Sequence, residues 1–324
     1  MSPLIVLTTY FNPCRYRTRR VNYDLFIDDL ARRRVPCLTV ECAFGDDEFE
    51  LPERLDVVRV RASSLMWQKE RLLNLAASWL PSTCRYVAWI DCDVLFQSDR
   101  WADDTVKVLE RFPIAQLFET CVRQSAAGTV DEPPDTAESF AAVMRRSPAS
   151  LEAGRYDVHG HTGYAWAMRR DMFDDVGLYE HAISGSADHF MAHAIYGHYG
   201  FCIENALKHD RGQIDHLKVW GRRFHDRVRG RLGVVPGAIR HLWHGDAADR
   251  RYFQRMHEIT DLGFDPWLDL HARPGAPLEW RRPLDKPGLT GYFGQYFQSR
   301  REDGIGHAGD AVLLSDTAGD VHER

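Results

Sequence analysis

The sequence of 324 residues has no run of about 18 uninterrupted apolar residues, so it offers no membrane-spanning helix. The short apolar start, Leu4 to Leu7, is too brief for a signal-peptide core and has no basic leader. A cytoplasmic location without a transmembrane segment is therefore expected, with peripheral contact to a membrane surface left open. Paired cysteine spacing is also missing: the seven cysteines are scattered, odd in number and form no CxxC, which fits reduced thiols. Positive charge is not in excess. Lys and Arg total 41 against 47 Asp and Glu, a formal charge of −6. A general nucleic-acid binder is thereby excluded, though not a local basic pocket for a phosphorylated small molecule. There is no internal repeat, and no glycine in the segment after the first apolar run, Thr9 to Arg15.

What is present is an ordinary globular composition, 44% hydrophobic and 27% charged, enough for a large core. Short apolar runs at Leu4–Thr9, Cys37–Cys42, Leu55–Val60 and Tyr86–Ile90 read as strands. Between them, Val21–Arg33 and Met66–Trp79 carry apolar residues at helical spacing. Alternation of this kind predicts an α/β fold with a mostly parallel central sheet and helices on both faces. Residues 124–154 read as a variable or partly helical insertion, 276–324 as a C-terminal extension, and the chain from Ser299 onward as a disordered tail.

The most informative stretch is Tyr86 to Phe96, where apolar residues run into Asp91 and Asp93 and out into apolar residues again. Buried charge is costly unless paired or bound to a metal. In extended backbone, residues two apart share a face, so Asp91 and Asp93 would aim at one divalent cation. Cys92 between them would face the other way. The alternative is a pair of ordinary turn residues. His244, followed by Gly245, is a candidate third ligand that favours Mn²⁺ over Mg²⁺, with His241 and Asp246 weaker candidates.

Three further segments carry chemistry. His159 to Ala167 reads as a substrate-facing loop entering a strand; His159 and His161 could equally belong to a second metal site or be plain loop residues. Ser184 to Met191 brings Asp188 to the first turn of a helix, either as a cap or as a general base beside an acceptor hydroxyl. His189 and His193 are four apart but lack the glutamate of HExxH, which argues against a zinc-protease pair. Lys69 or Arg71 is placed to reach a phosphate or nucleobase, or else lies on a solvated helix face. The arginines between Arg222 and Arg231 could neutralise a leaving diphosphate, meet an anionic surface, or simply be solvated.

Taken in order, these motifs resemble the GT-A class of nucleotide-sugar-dependent glycosyltransferases. Asp91-Cys92-Asp93 resembles the Asp-x-Asp metal motif of that class, and Lys69 to Asn74 is similar to the K/R-x-x-L-N helix of the family 2-like, β-1,4-galactosyltransferase-like group. Gly163–Ala167, Asp171 to Phe173 and Gly177 to Tyr179 resemble the segment before that group's acidic catalytic motif, which falls on Ser186 to Asp188, with Ala187 where the group usually has an acid. The resemblance implies a GT-A domain over 1–275, with a nucleotide-binding part at about 1–120 and an acceptor part at about 155–265, of the bacterial soluble type. It implies a donor sugar on a nucleotide diphosphate and a glycan or other hydroxyl acceptor. Asp91, Asp93 and His244 would hold Mn²⁺ or Mg²⁺, and Asp188 would act as the base of an inverting transfer; a different placement of Asp188 would point to retention. Thr9, Tyr10, Asn12, Lys69, Arg71 and Asn74 would contact the donor, and His161, Gly163, Trp166 and Ser186 the acceptor. The rivals are a sugar-nucleotide nucleotidyltransferase, which would want a Gly-rich basic loop where Thr9 to Arg15 stands, a non-catalytic nucleotide- or carbohydrate-binding module, and, more distantly, a metallohydrolase using His159, His161 and His244.

Overall fold

A computed structural model describes residues 3–131, 133–152 and 156–304. The N-terminal half alternates as expected: β1 (Leu4–Tyr10), α1 (Arg17–Arg32), β2 (Cys37–Phe44), β3 (Val57–Ala62), α2 (Lys69–Ala77) and β4 (Tyr86–Ile90). There follow β5 (Val94–Phe96), α3 (Trp101–Arg111), β6 (Ile114–Gln116), β7 (Thr120–Arg123), β8 (Thr136–Glu138), α4 (Phe140–Arg146) and α5 (Tyr156–His159). Next come β9 (Ala165–Arg169), α6 (Arg170–Val176), α7 (Ala187–Ile195), α8 (Phe201–Ala206), α9 (Arg211–Val228), β10 (Leu232–Val234) and β11 (Ala238–His241). The last elements are α10 (Tyr252–Asp261), the hairpin β12 (Leu270–Ala272) and β13 (Leu278–Trp280), and α11 (Pro287–Ser299).

The large sheet runs β10-β6-β9-β4-β1-β2-β3. All its pairings are parallel except those of β9, which lies antiparallel between β4 and β6. β4 reads YVAWI and every residue of it is buried, as a central strand covered on both faces requires. Its alternation divides the core. Val87 and Trp89 face a cluster with Leu72, Leu73, Met191 and Phe297; Tyr86, Ala88 and Ile90 face one with Phe26, Leu30, Trp101 and Leu109. The mostly parallel sheet with helices on both faces is thus as expected.

The expected insertion is helical in part, and the C-terminal segment departs from expectation. Within 124–154, α4 is buried from Phe140 to Met144, and Ser139 caps it by accepting from the Ala142 amide, a contact worth about 1 kcal/mol. Residues 276–304 are no loose extension. Leu289, Phe293, Tyr296 and Phe297 on α11 enter the main core, and beyond Ser299 the side chains of Arg300 and Glu302 are buried. The expected tail is corrected for Ser299 to Gly304, whose polar composition hides a paired charge network; residues 305–324 lie outside the described residues. No helix among the described residues is long and apolar enough to cross a membrane.

Candidate active site

The site forms where β4 ends. Asp91, Cys92 and Asp93 do not continue the strand: the Asp91 amide donates to the Tyr164 carbonyl and the Val94 amide to the Asp91 carbonyl, closing a turn. This turn moves the chain from the large sheet into a second sheet, ordered β5-β11-β7-β8. The two aspartates have different partners, although both line the cleft and the Asp93 charge acts on Asp91. Asp91 pairs with Lys69 Nζ at 2.5 Å. Asp93 meets the end of β11, where the Leu242 amide donates to its carbonyl. There His244 Nε2 lies 3.0 Å from Asp93 Oδ2, and His241 Nε2 lies 3.7 Å from Oδ1. The two Nε2 atoms are 3.1 Å apart.

Asp93, His241 and His244 are therefore the candidate metal ligands, with the weaker candidate His241 in the place assigned to Asp91. Asp93 Oδ1 is buried and has no hydrogen-bond partner among the described residues. Burial alone would raise the Asp93 pKa, but His244, His241 and Arg250 hold it below the usual carboxylate range. Burial lowers the His241 pKa to about 3, against the pull of Asp93, so its imidazole is neutral. One carboxylate and two imidazole nitrogens with an orphaned carboxylate oxygen fit a divalent cation, and suit Mn²⁺ better than Mg²⁺. Behind His244, Glu302 Oε2 sits 3.7 Å from Nδ1, and Glu302 is itself held by Arg19 at 2.7 Å and Arg300 at 2.6 Å. Outer carboxylates of this kind orient ligating histidines. Asp246 lines the cleft without joining the ligand cluster.

These groups line a cleft of about 830 Å³. Thr9, Lys69, His161, Gly163, Ser186 and Asp188 line it too. Asp188 stands in the first turn of α7, after Gly185 and Ser186, both at positive φ. Its Oδ1 accepts from the His189 amide, and its Oδ2 lies against Gly163. His161 is neutral, its pKa lowered to about 4 by burial, and it stacks on Tyr164 at 4.0 Å. Its backbone is braced by buried Gln116, whose Nε2 donates to the His161 carbonyl while its Oε1 accepts from the Ala141 amide.

Several assigned residues fall elsewhere. Arg71 is consumed by Glu180 at 3.0 Å and by the carbonyls of Arg273 and Ala276. Asn74 holds the backbone of Leu178 and the Glu180 carboxylate. Both fasten α2 to neighbouring segments and face away from the cleft. Tyr10 is buried, donating to Glu50 at 2.5 Å, and Asn12 closes the turn to Tyr16; both border a separate small hollow near Glu41 and Phe44. Trp166 is 1% exposed, because β9 is flanked by β4 and β6 and its register sets Trp166 opposite Trp89 and Gln116. On α9 and just beyond it, Arg223 and Arg227 pair with Asp171 and Asp175, and Arg231 donates to the Arg111 carbonyl, so they serve no cleft.

The arginine lining instead comes from Arg19, Arg123, Arg250, Arg251, Arg255 and Arg300, which single-residue spacing did not reveal. Arg250 and Arg255 are buried, each with an Nε lacking a hydrogen-bond partner among the described residues. Glu70 was missed as well. Burial raises its pKa from 4.5 to about 7, with Lys69 opposing and Asp188 adding to the rise. A raised carboxyl pKa means that stability is full below about 4.5 and is lost as pH climbs through 7. Glu70→Gln should therefore flatten the stability profile, sparing a loss on the order of 2 kcal/mol between pH 5 and 8. Urea midpoints at the two pH values check this; parallel profiles for the two proteins would contradict it.

No family model matches the chain, and no curated protein matches it. Among solved structures it is similar to a Drosophila β1,4-galactosyltransferase 7 mutant in complex with manganese, UDP-Gal and xylobiose, at 12% identity over 90% of this chain and 98% of that one, with a TM-score of 0.38. Another structure of that enzyme's catalytic domain, with xylobiose, is matched over 58% of each chain at a TM-score of 0.29. S. aureus TarS is matched at 10% identity over 81% of this chain and 40% of that one, with a TM-score of 0.41. The 4-diphosphocytidyl-2C-methyl-D-erythritol synthase of Anaerococcus prevotii follows at 12%, 72% and 86%, with a TM-score of 0.37. Likenesses this distant leave the substrate to be argued from the site itself.

Proposed function

We propose that the protein is a metal-dependent glycosyltransferase that moves a sugar from a nucleotide diphosphate-sugar to an acceptor hydroxyl. The observation that carries this reading is the placement of a cation-ready triad, Asp93, His241 and His244, and a separate carboxylate, Asp188, on the walls of one arginine-lined cleft. When bound, Mn²⁺ or Mg²⁺ supplies positive charge against the diphosphate. Arg250 and Arg255 present further positive charge to the phosphates, and the Lys69–Asp91 pair keeps the neighbouring wall neutral. Asp188 accepts the proton of the acceptor hydroxyl as the acceptor oxygen bonds to the anomeric carbon. The bond from that carbon to the diphosphate oxygen breaks, its electron pair leaving with the phosphate, and the anomeric configuration inverts.

Gly163 is part of this arrangement. A Cβ there would come within 2.7 Å of Asp188 Oδ2 and 3.0 Å of His161 Cε1, so both side chains would have to give way. Gly163→Ala should leave the melting temperature near that of the parent while displacing the base, with kcat falling on the order of 10²-fold. A variant equally active would detach Gly163 from the reaction.

The decisive experiment incubates the protein with UDP-, GDP- and dTDP-sugars plus Mn²⁺ and measures nucleoside diphosphate release with and without chelator. Chelator-sensitive release from one donor class is expected. Pyrophosphate release from a nucleoside triphosphate plus a sugar phosphate would replace this reading with nucleotidyl transfer. Ligand-induced thermal shifts without turnover would replace it with a binding module.

A further inference from the structure

A second cluster of ligand-type side chains lies behind the cleft wall. His159 closes α5, His189 and His193 lie one turn apart on α7, and Cys202 belongs to α8. Each offers one nitrogen or sulfur, and the four atoms all lie within 4.8 Å of one another. The ring centroids of His189 and His193 are 4.7 Å apart, and that of His159 is 5.7 and 5.4 Å from them. Cys202 Sγ is 3.2 Å from His189 Nε2. The three imidazoles are fully buried and Cys202 is 2% exposed. His193 Nε2 has no hydrogen-bond partner among the described residues, and its other nitrogen, Nδ1, meets His198 at 3.3 Å.

A buried imidazole nitrogen without a partner, as at His193 Nε2, is costly as mere packing. A closed four-ligand set of nitrogen and sulfur from three elements has the chemistry of a tetrahedral structural site. Zinc bonds of about 2.0–2.3 Å set such ligands roughly 3.3–3.8 Å apart, so rotations of these side chains close the observed spacing. Soft thiolate with imidazole selects Zn²⁺ over the hard cations suited to the carboxylate-bearing cleft. Burial also keeps the imidazoles neutral, the form that ligates: His193 is lowered to about 3, and His189 well below its ordinary value.

We propose that His159, His189, His193 and Cys202 form a structural Zn²⁺ site. On binding, the Cys202 Sγ–H bond breaks, the sulfur keeps the electron pair as a zinc–thiolate bond, and the proton goes to solvent. All four positions are filled by protein, so the ion does no chemistry. Its effect is on shape. His159 is joined to His161 through Gly160, at φ +80°, where a Cβ would lie 2.7 Å from the Ser139 carbonyl oxygen. His189 directly follows Asp188. The ion would thus clamp together the two segments that present His161 and Asp188 to the cleft.

The test needs no substrate and is independent of the transfer reaction. The full chain, dialysed against a mild chelator, should retain one zinc by elemental analysis. Replacement by Co²⁺ should give the visible bands of a four-coordinate ion together with a thiolate-to-cobalt charge-transfer band in the near ultraviolet. Cys202→Ser should lose the charge-transfer band, and Asp93→Asn, which alters only the cleft set, should keep both the zinc and the band. Wild-type protein without zinc and without the band on cobalt addition would overturn the proposal, and so would a band that survives Cys202→Ser or zinc that disappears in Asp93→Asn. Should Cys202→Ser fail to fold, the zinc content and cobalt spectrum of the wild-type chain decide alone.

Discussion

Asp93→Asn should abolish Mn²⁺-dependent turnover, lowering it by about 10³-fold or more, while leaving the chain folded. The loss follows from position. Asp93 is the carboxylate of the candidate ligand set, and its Oδ1 has no other partner among the described residues. An amide keeps the shape but removes the charge that balances a divalent ion, and charge stabilisation of a leaving phosphate is worth several kcal/mol. The fold should survive, because the turn at Asp91 to Val94 is held by backbone hydrogen bonds that the substitution spares. Calorimetric titration with Mn²⁺ should show binding lost in parallel with activity. Near-normal turnover would refute the metal assignment. His241→Ala separates the set found here from one built on Asp91: it should weaken Mn²⁺ binding more than Asp91→Asn does.

Asp188→Asn should reduce kcat by about 10²- to 10⁴-fold, the range for removal of a positioned base, with donor affinity retained. Asp188 is outside the ligand cluster, and its carboxylate is fixed by the His189 amide on one side and Gly163 on the other. Donor binding measured by thermal shift with Mn²⁺ present should match the parent. If affinity collapses and kcat holds, Asp188 belongs to donor binding and the base lies elsewhere on the cleft wall. The stereochemical course is read from the parent's product: an anomeric configuration opposite to that of the donor supports inversion by a single displacement, and the donor's configuration overturns it.

Local pattern made the first four strands and first two helices readable, because each strand is bounded by a turn signal and each helix has one apolar face. It also singled out Asp93, His244 and Asp188, which stand at or near element ends and line one cleft. It did not show the Lys69 partner of Asp91, for a tertiary reason: the chain changes sheets after β4, and a turn interrupts the two-residue periodicity there. Arg71 and Asn74 look like ligand-facing polar residues in one dimension, yet their partners lie more than 100 residues away, at 178–180 and 273–276. Trp166 sits beside a substrate-facing loop in sequence, but pairing on both edges of β9 buries it. The contribution of Glu302 had no local signal at all. It depends on Arg19, some 280 residues earlier.

That pairing has a practical side. The carboxylate steadying His244 hangs on the last few described residues, not on the sheet that carries the cleft. Purification handles, fusion partners or stray proteolysis near position 300 would reach the candidate metal ligands from behind, and a preparation clipped there should lose the Glu302 support of His244. Handles belong at the other terminus, and a mass measurement should precede any conclusion that a batch is inactive.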